Sequence, residues 1–141
     1  MHYVKPRILN VEECDRLSFL PYLFADDFMI SELQVYALAR KHVPEYCGGR
    51  WHFIRLPDGG GYMMPDDGRV HLVNRENGFD RTVSAEAAGI VLTMWAIKRR
   101  GWVHRDCQNS ALARLFAVRE AQLWEFIEFH PECHHIYDAL E

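Results

Sequence analysis

The sequence predicts an α+β fold, a three-stranded antiparallel β-meander packed with about four to five α-helices, and three observations carry that prediction. Between Trp51 and Met64 large apolar residues (Trp51, Phe53, then Tyr62, Met64) alternate with polar or smaller ones, and Asp58 with Gly59, Gly60 and Gly61 supplies the positive-φ positions of a chain reversal. From Ala87 to Ile97 almost every residue is apolar, so a helix there has no polar face and must be buried. From Asn109 to Phe129, Leu112, Leu115, Phe116, Leu123, Phe126 and Ile127 fall three, four and seven apart on one helical stripe.

In chain order, residues 1–10 read as an extended arm. A short helix is predicted over Val11 to Leu20, ending before Pro21 because the residue preceding proline is steered out of the helical region. Asp26 and Asp27 precede a second helix with Ser31 as its N-cap and Leu33, Tyr36, Leu38 and Val43 at apolar positions, and Pro44 stops it. The hairpin lies between Tyr46 and Pro65. Arg69 to Asn74, where Val70 and Leu72 alternate with Arg69 and His71 after the turn signal Asp66, Asp67, Gly68, is expected as the third strand of the meander. Asn77 to Asp80 make a turn. Ser84 then caps the central helix, and Glu86 suits the positive end of its dipole. Gly89 costs about 1 kcal/mol relative to alanine inside a helix, which points to a close approach by another backbone, the sheet. Pro131 ends the long helix and opens a last short one to Leu140.

With 141 residues, 49% of them hydrophobic, the whole chain is expected to form one domain. No apolar run reaches the roughly 20 residues of a membrane span, and the first residues lack a signal-peptide core. A cytoplasmic protein is therefore expected. Cys14, Cys47, Cys107 and Cys133 are far apart and form no paired motif, so reduced thiols are expected. Charge is distributed in blocks: six basic residues and one acid lie between Lys98 and Arg119, and six acids with no lysine or arginine between Glu120 and Glu141. Such blocks make opposed surface potentials or ordinary solvated helix faces.

The candidate chemistries are thin. His130, Cys133 and His134 have helical metal-ligand spacing, but Pro131 interrupts them and no second half-site exists, so no metal is expected. Gly59 to Gly61 are followed by a strand, not a helix, which excludes a phosphate loop. Cys47 beside Gly48 and Gly49 reads as a strand-entry cysteine, since nothing in the spacing favours a Cys/His catalytic pair. Trp51, Phe53 and Tyr62 beside Arg50 and Arg55 sketch a base-stacking platform, but the buried helix needs that apolar face as cover. Imitation of DNA is also excluded. The six C-terminal acids give one charge per about 5–6 Å of helix, against one per about 1.7 Å in duplex DNA.

Several stretches together resemble a known family. Tyr46, Gly48, Gly49, Trp51 and Phe53 in one strand, with Gly59, Gly60, Tyr62, Met63 and Pro65 in the next, are similar to the paired strands of the ArdB/KlcA antirestriction proteins of plasmids and other mobile elements. Asn77 to Asp80, Ser84 to Val91, His130 to Glu132 and Phe19 to Pro21 match further family motifs in the family's order, so the resemblance covers nearly the whole chain. It implies an inhibitor of DNA cleavage by type I restriction-modification enzymes that lets incoming DNA survive. The lack of a convincing active site and the dilute acid spacing make the expectation a non-enzymatic, cofactor-free one that acts through protein contact. Asp58, Asn77, Asp80, Glu132 and His130, polar and carried over from those motifs, are the candidate partner-binding residues. Direct DNA binding is not expected. The alternative is a small DNA-binding accessory protein using Arg99, Arg100, Arg105 and Arg114, and the third reading is an unrecognised hydrolase.

Overall fold

The computed structural model describes residues 9–10 and 15–141. Along them run β1 (Leu9–Asn10), α1 (Arg16–Phe24), a 3₁₀ turn (Ala25–Asp27), α2 (Phe28–His42), β2 (Trp51–Arg55), β3 (Gly61–Pro65), β4 (Arg69–Asn74), β5 (Phe79–Ser84), α3 (Ala85–Asp106), α4 (Ser110–Glu128) and α5 (Cys133–Leu140). The α+β class and the five helices match the expectation, but the meander does not exist as drawn. Strands β1, β2 and β3 form one antiparallel sheet, and β4 pairs with β5 in a separate hairpin.

The reason lies at the outer edge of β3. The backbone N–H of Met63 donates to Thr93 Oγ1 at 3.0 Å, and the Thr93 hydroxyl returns a bond to Met63 O at 3.3 Å. Helix α3 thus occupies the edge that β4 would have needed. The chain leaves through Asp66 to Gly68, and β4 finds its partner in β5, whose Phe79 and Val83 are buried while Asp80, Arg81 and Thr82 are exposed. The predicted Asn77 turn is present, but the strand after it was missed because three consecutive exposed residues hide the alternation.

Ser84 caps α3 as expected, accepting the Ala87 N–H at 3.0 Å. The helix packs against α2, α4, α5 and β3, which explains its apolar circumference, with Ile90, Leu92 and Met94 fully buried. Gly89 is where it touches the sheet: a Cβ there would lie 2.3 Å from Met63 O and 2.5 Å from Met64 Cβ.

Four helix expectations need correction. Helix α5 begins at Cys133 with Glu132 before it, so Pro131 lies in the preceding turn and not at the first helical position. Residues 11–14 of the first predicted helix fall outside the described residues, and α1 continues through Pro21 to Phe24. The carbonyl that a proline at 21 leaves unpaired is that of Leu17, a residue 92% exposed, where water can satisfy it. Ser31 is not the cap of α2 but a buried residue in its first turn, donating to Asp27 Oδ2 at 2.6 Å. Leu33 faces solvent. Asp27, itself 5% exposed, also receives Arg100 Nε and Nη2, both at 2.9 Å, and His104 Nε2 at 3.0 Å. Burial pulls the Asp27 pKa upward, but the hydrogen bonds from Arg100, Ser31 and His104 outweigh it and hold the carboxyl below its ordinary value.

Candidate contact surface

The turn between β4 and β5 is built by two asparagines. Asn74 Oδ1 accepts the Glu76 N–H at 3.2 Å and Asn77 Oδ1 accepts the Phe79 N–H at 3.0 Å, with Gly78 at φ 79° between them. Their amide groups reach the last carbonyls of α5: Asn77 Nδ2 donates to Asp138 O at 2.9 Å and Asn74 Nδ2 to Ala139 O at 3.0 Å. Asn77 therefore fastens the C-terminal helix. Asp80 is exposed beside it, and both line an open hollow with Arg81, Asp138 and Glu141.

Asp80 accepts His71 Nε2–H at 2.6 Å, while His71 Nδ1 lies 3.3 Å from Glu45 Oε1. An imidazole donating on both sides is an imidazolium, and Asp80 first, Glu45 second, raise the His71 pKa above its ordinary 6.5. A raised folded-state value stabilises fully below pH 6.5 and is lost as pH rises through the folded midpoint. Wild type and Asp80→Asn should accordingly differ in melting temperature at about pH 6 and converge at alkaline pH. An NMR titration midpoint for His71 that does not fall in Asp80→Asn would refute the pairing.

His130 and Glu132 sit in the link between α4 and α5, and both turn inward. His130 Nδ1 accepts the Glu132 N–H at 3.0 Å, which leaves Nε2–H to donate to Glu86 Oε1 at 3.1 Å, and the ring is buried. Glu86 also lies near the buried Tyr62 hydroxyl, whose pKa is raised by burial and then by that carboxylate. The Glu132 carboxylate accepts the Ser84 N–H at 3.1 Å and the Ser84 hydroxyl. Burial raises the Glu132 pKa, but Ser84 outweighs it, and the net shift is downward. These two residues tie the start of α5 to the start of α3, so as partner-binding candidates they are turned into the fold and away from its surface.

Asp58 is exposed at the β2–β3 tip, where Gly59 and Gly60, both at positive φ, lie over Gln122 of α4. It shares a small hollow with Glu125 and Phe129, and none of the other four candidates lines it. The structure therefore leaves Asp58 and Asp80 as exposed candidate carboxylates at separate hollows.

A further hollow, about 330 Å³, opens between the two sheets and the end of α2, lined by Val43, Glu45, Tyr46, Cys47, Gly48, Trp51, Pro65, Asp67, Arg69, Val70 and His71 among others. Sequence reasoning did not identify it. The basic band, in turn, is partly dissolved: Arg100 is bound to Asp27, and Arg119 donates to Leu23 O and Tyr22 O at 3.0 and 2.7 Å. Arg99, Arg105 and Arg114 remain exposed. Among the described residues no group of three or more His, Cys, Asp or Glu side chains is placed to hold a metal ion, and no helix is long and apolar enough to cross a membrane.

Comparison with known proteins places this architecture. The family of antirestriction proteins matches residues 44–141. The chain is 65% identical to the putative antirestriction protein YubI of Escherichia coli strain K12 over 100% of both chains, and 37% identical to the antirestriction protein KlcA of Escherichia coli over 93% of this chain and 92% of that one. A solved chain described with the KlcA and ArdB proteins superposes with a TM-score of 0.85 at 36% identity, covering 100% of this chain and 99% of the other. Those proteins show a novel fold and antirestriction activity against type I DNA restriction systems in vivo but not in vitro. With that fold and that likeness over nearly its whole length, this chain belongs to the ArdB/KlcA family of antirestriction proteins.

Proposed function

We infer that this protein protects incoming DNA from cleavage by type I restriction-modification systems in the cell, through contact with a protein and without catalysis or DNA imitation. The observation that carries this reading is the full-length likeness to the KlcA and ArdB structure, whose activity against type I systems appears in vivo but not in vitro. A protector that works only in the cell needs a cellular state or component that a purified cleavage reaction lacks. The occupied side chains of Arg100 and Arg119 weigh against a DNA-binding mechanism, because they are spent on Asp27 and on backbone carbonyls.

Expressed in a type I restricting strain, the protein should raise the plating efficiency of unmodified phage and leave host methylation nearly normal. Asp58→Lys and Asp80→Lys separate the mechanisms, because both positions are exposed. An unpaired or like charge at an interface costs several kcal/mol, so loss of protection with a nearly unchanged melting temperature is expected for at least one of them. Unaltered protection in both, with loss on neutralising Arg99, Arg105 and Arg114, would transfer the function to DNA binding. Purified protein would then hold bare duplex with an affinity falling steeply as salt rises.

A further inference from the structure

His42 closes α2 with one ring nitrogen bonded and the other open. Nδ1 lies 2.8 Å from Val73 O, and since a carbonyl only accepts, that nitrogen carries the hydrogen. In the neutral ring Nε2 is therefore a bare acceptor, and it has no hydrogen-bond partner among the described residues. The residue is 7% exposed, and its ring lies against Trp95 with centroids 4.3 Å apart. Among the described residues only the Tyr62 hydroxyl is both sealed from solvent and unpartnered, so His42 Nε2 reaches open space. The space that His42 lines is a hollow of about 250 Å³ between the end of α2, the β4–β5 turn and α3.

This hollow is basic. Lys41, Lys98 and Arg99 line it against one carboxylate, Glu76. Lys41 Nζ and Glu76 Oε1 are 4.0 Å apart with both side chains exposed, a pairing worth little. Lys98 Nζ stands 5.4 Å over the Trp124 ring, a neutral partner that leaves its charge uncompensated. The partial negative charge at the end of α2 is offset by Arg40 and Lys41 in its last turn. Asn74 sets the rim before anything binds, because its Oδ1 accepts the Glu76 N–H while its Nδ2 donates to Ala139 O. The excess of positive charge attracts an anionic occupant and repels a cationic one. A single anionic group suits the place better than a track of phosphates. Duplex DNA is held by contacts spread over many phosphates, whereas Arg100 and Arg119 of the same basic band are turned onto Asp27 and backbone carbonyls.

We propose that this hollow seats one carboxylate side chain, aspartate or glutamate, presented by the protein partner; the proposal rests on the protein-contact reading above. The carboxylate accepts from His42 Nε2, and Lys98 and Arg99 meet its charge. To donate there the imidazole takes up one proton from solvent, and Nδ1–H keeps its bond to Val73 O. In the free protein burial holds the His42 pKa below 6.5, outweighing the Val73 hydrogen bond, with Lys41 adding to the lowering and Glu76 opposing it. A seated carboxylate raises that pKa, so affinity increases as the pH falls from the bound midpoint to the free one.

The direct test is an NMR titration of the full chain with N-acetyl-glutamate amide and, in parallel, with N-acetyl-glutamine amide, which has nearly the same shape and no charge. The His42 ring and the Trp95 indole should shift saturably with the glutamate probe, more tightly at about pH 6 than at about pH 8, and more weakly with glutamine. The His42 titration midpoint should rise when the glutamate probe is bound. Lys98→Gln should weaken that probe by about two- to fivefold, the range of an exposed ion pair. Equal response to both probes, an unmoved His42 midpoint, or no response up to the solubility of the glutamate probe overturns the proposal. A short DNA duplex that shifts the same residues at lower concentration than the glutamate probe also overturns it, since the seat would then belong to a phosphate. In cells, Lys41→Glu and Lys98→Glu should lose protection with melting temperatures near that of the wild type. Protection retained in both variants overturns the seat while the proposed function stands, and a wild type that fails to protect overturns the protein-contact reading itself.

Discussion

Asp27→Ala should lower the stability of the fold by about 3–5 kcal/mol, a large part of what a small domain has. The substitution leaves Arg100, with a side chain 14% exposed, and His104, at 11%, facing a space that no longer holds a carboxylate. Breaking a buried ion pair from one side is more costly than never having built it, because the remaining charge stays desolvated. Ser31, fully buried, loses its acceptor in the same step. The Asp27 pKa is held below the ordinary 3.8, so its contribution is complete above that pH and declines as the pH falls through the folded value. Urea unfolding at neutral pH, with an unchanged denaturant slope, measures the loss. A shift of less than about 1 kcal/mol would mean that the network relaxes into water and does not brace α2 against α3. Replacing Asp27 and Arg100 together by apolar residues should recover much of the loss, since well-packed hydrophobic substitutes for buried pairs are often neutral.

Gly89→Ala should destabilise the protein, although helix propensity alone predicts a gain of about 1 kcal/mol. The added methyl would meet Met63 O at 2.3 Å and the Met64 backbone Cα at 2.6 Å, and neither atom can swing aside as the end of a side chain can. Relief requires α3 to move off β3, which breaks the Thr93 bonds to Met63 at the same edge. Overpacking of a core commonly costs about 1–3 kcal/mol, and a backbone obstacle puts this case at the upper end or beyond it. Gly89→Val should fail to give soluble folded protein. An alanine variant that melts at or above the wild-type temperature would show that the helix and the sheet are not in contact at this point.

By itself the sequence determined the parts whose signals are local. Alternation around the glycines of the β2–β3 turn gave a hairpin, an apolar circumference gave a buried α3 with a Ser84 cap, and a stripe of Leu123, Phe126 and Ile127 gave α4. The motif order also identified the family, because it is a property of the chain and not of its packing. Tertiary structure alone decided which partners meet. Whether β4 joins β3 depends on Thr93, 30 residues away in the chain, and whether Ser31 caps a helix depends on what Asp27 binds 73 residues further on. Glu132 reads as an exposed residue of a helix start until α5 docks and gives it Ser84 as partner, and only the same docking shows that His130 meets Glu86. The hollow between the sheets has no local signature either, since its walls come from α2, both sheets and α3. Periodicity reports only that a side chain is buried; the competition among distant polar groups for the same donors and acceptors settles what it is buried against.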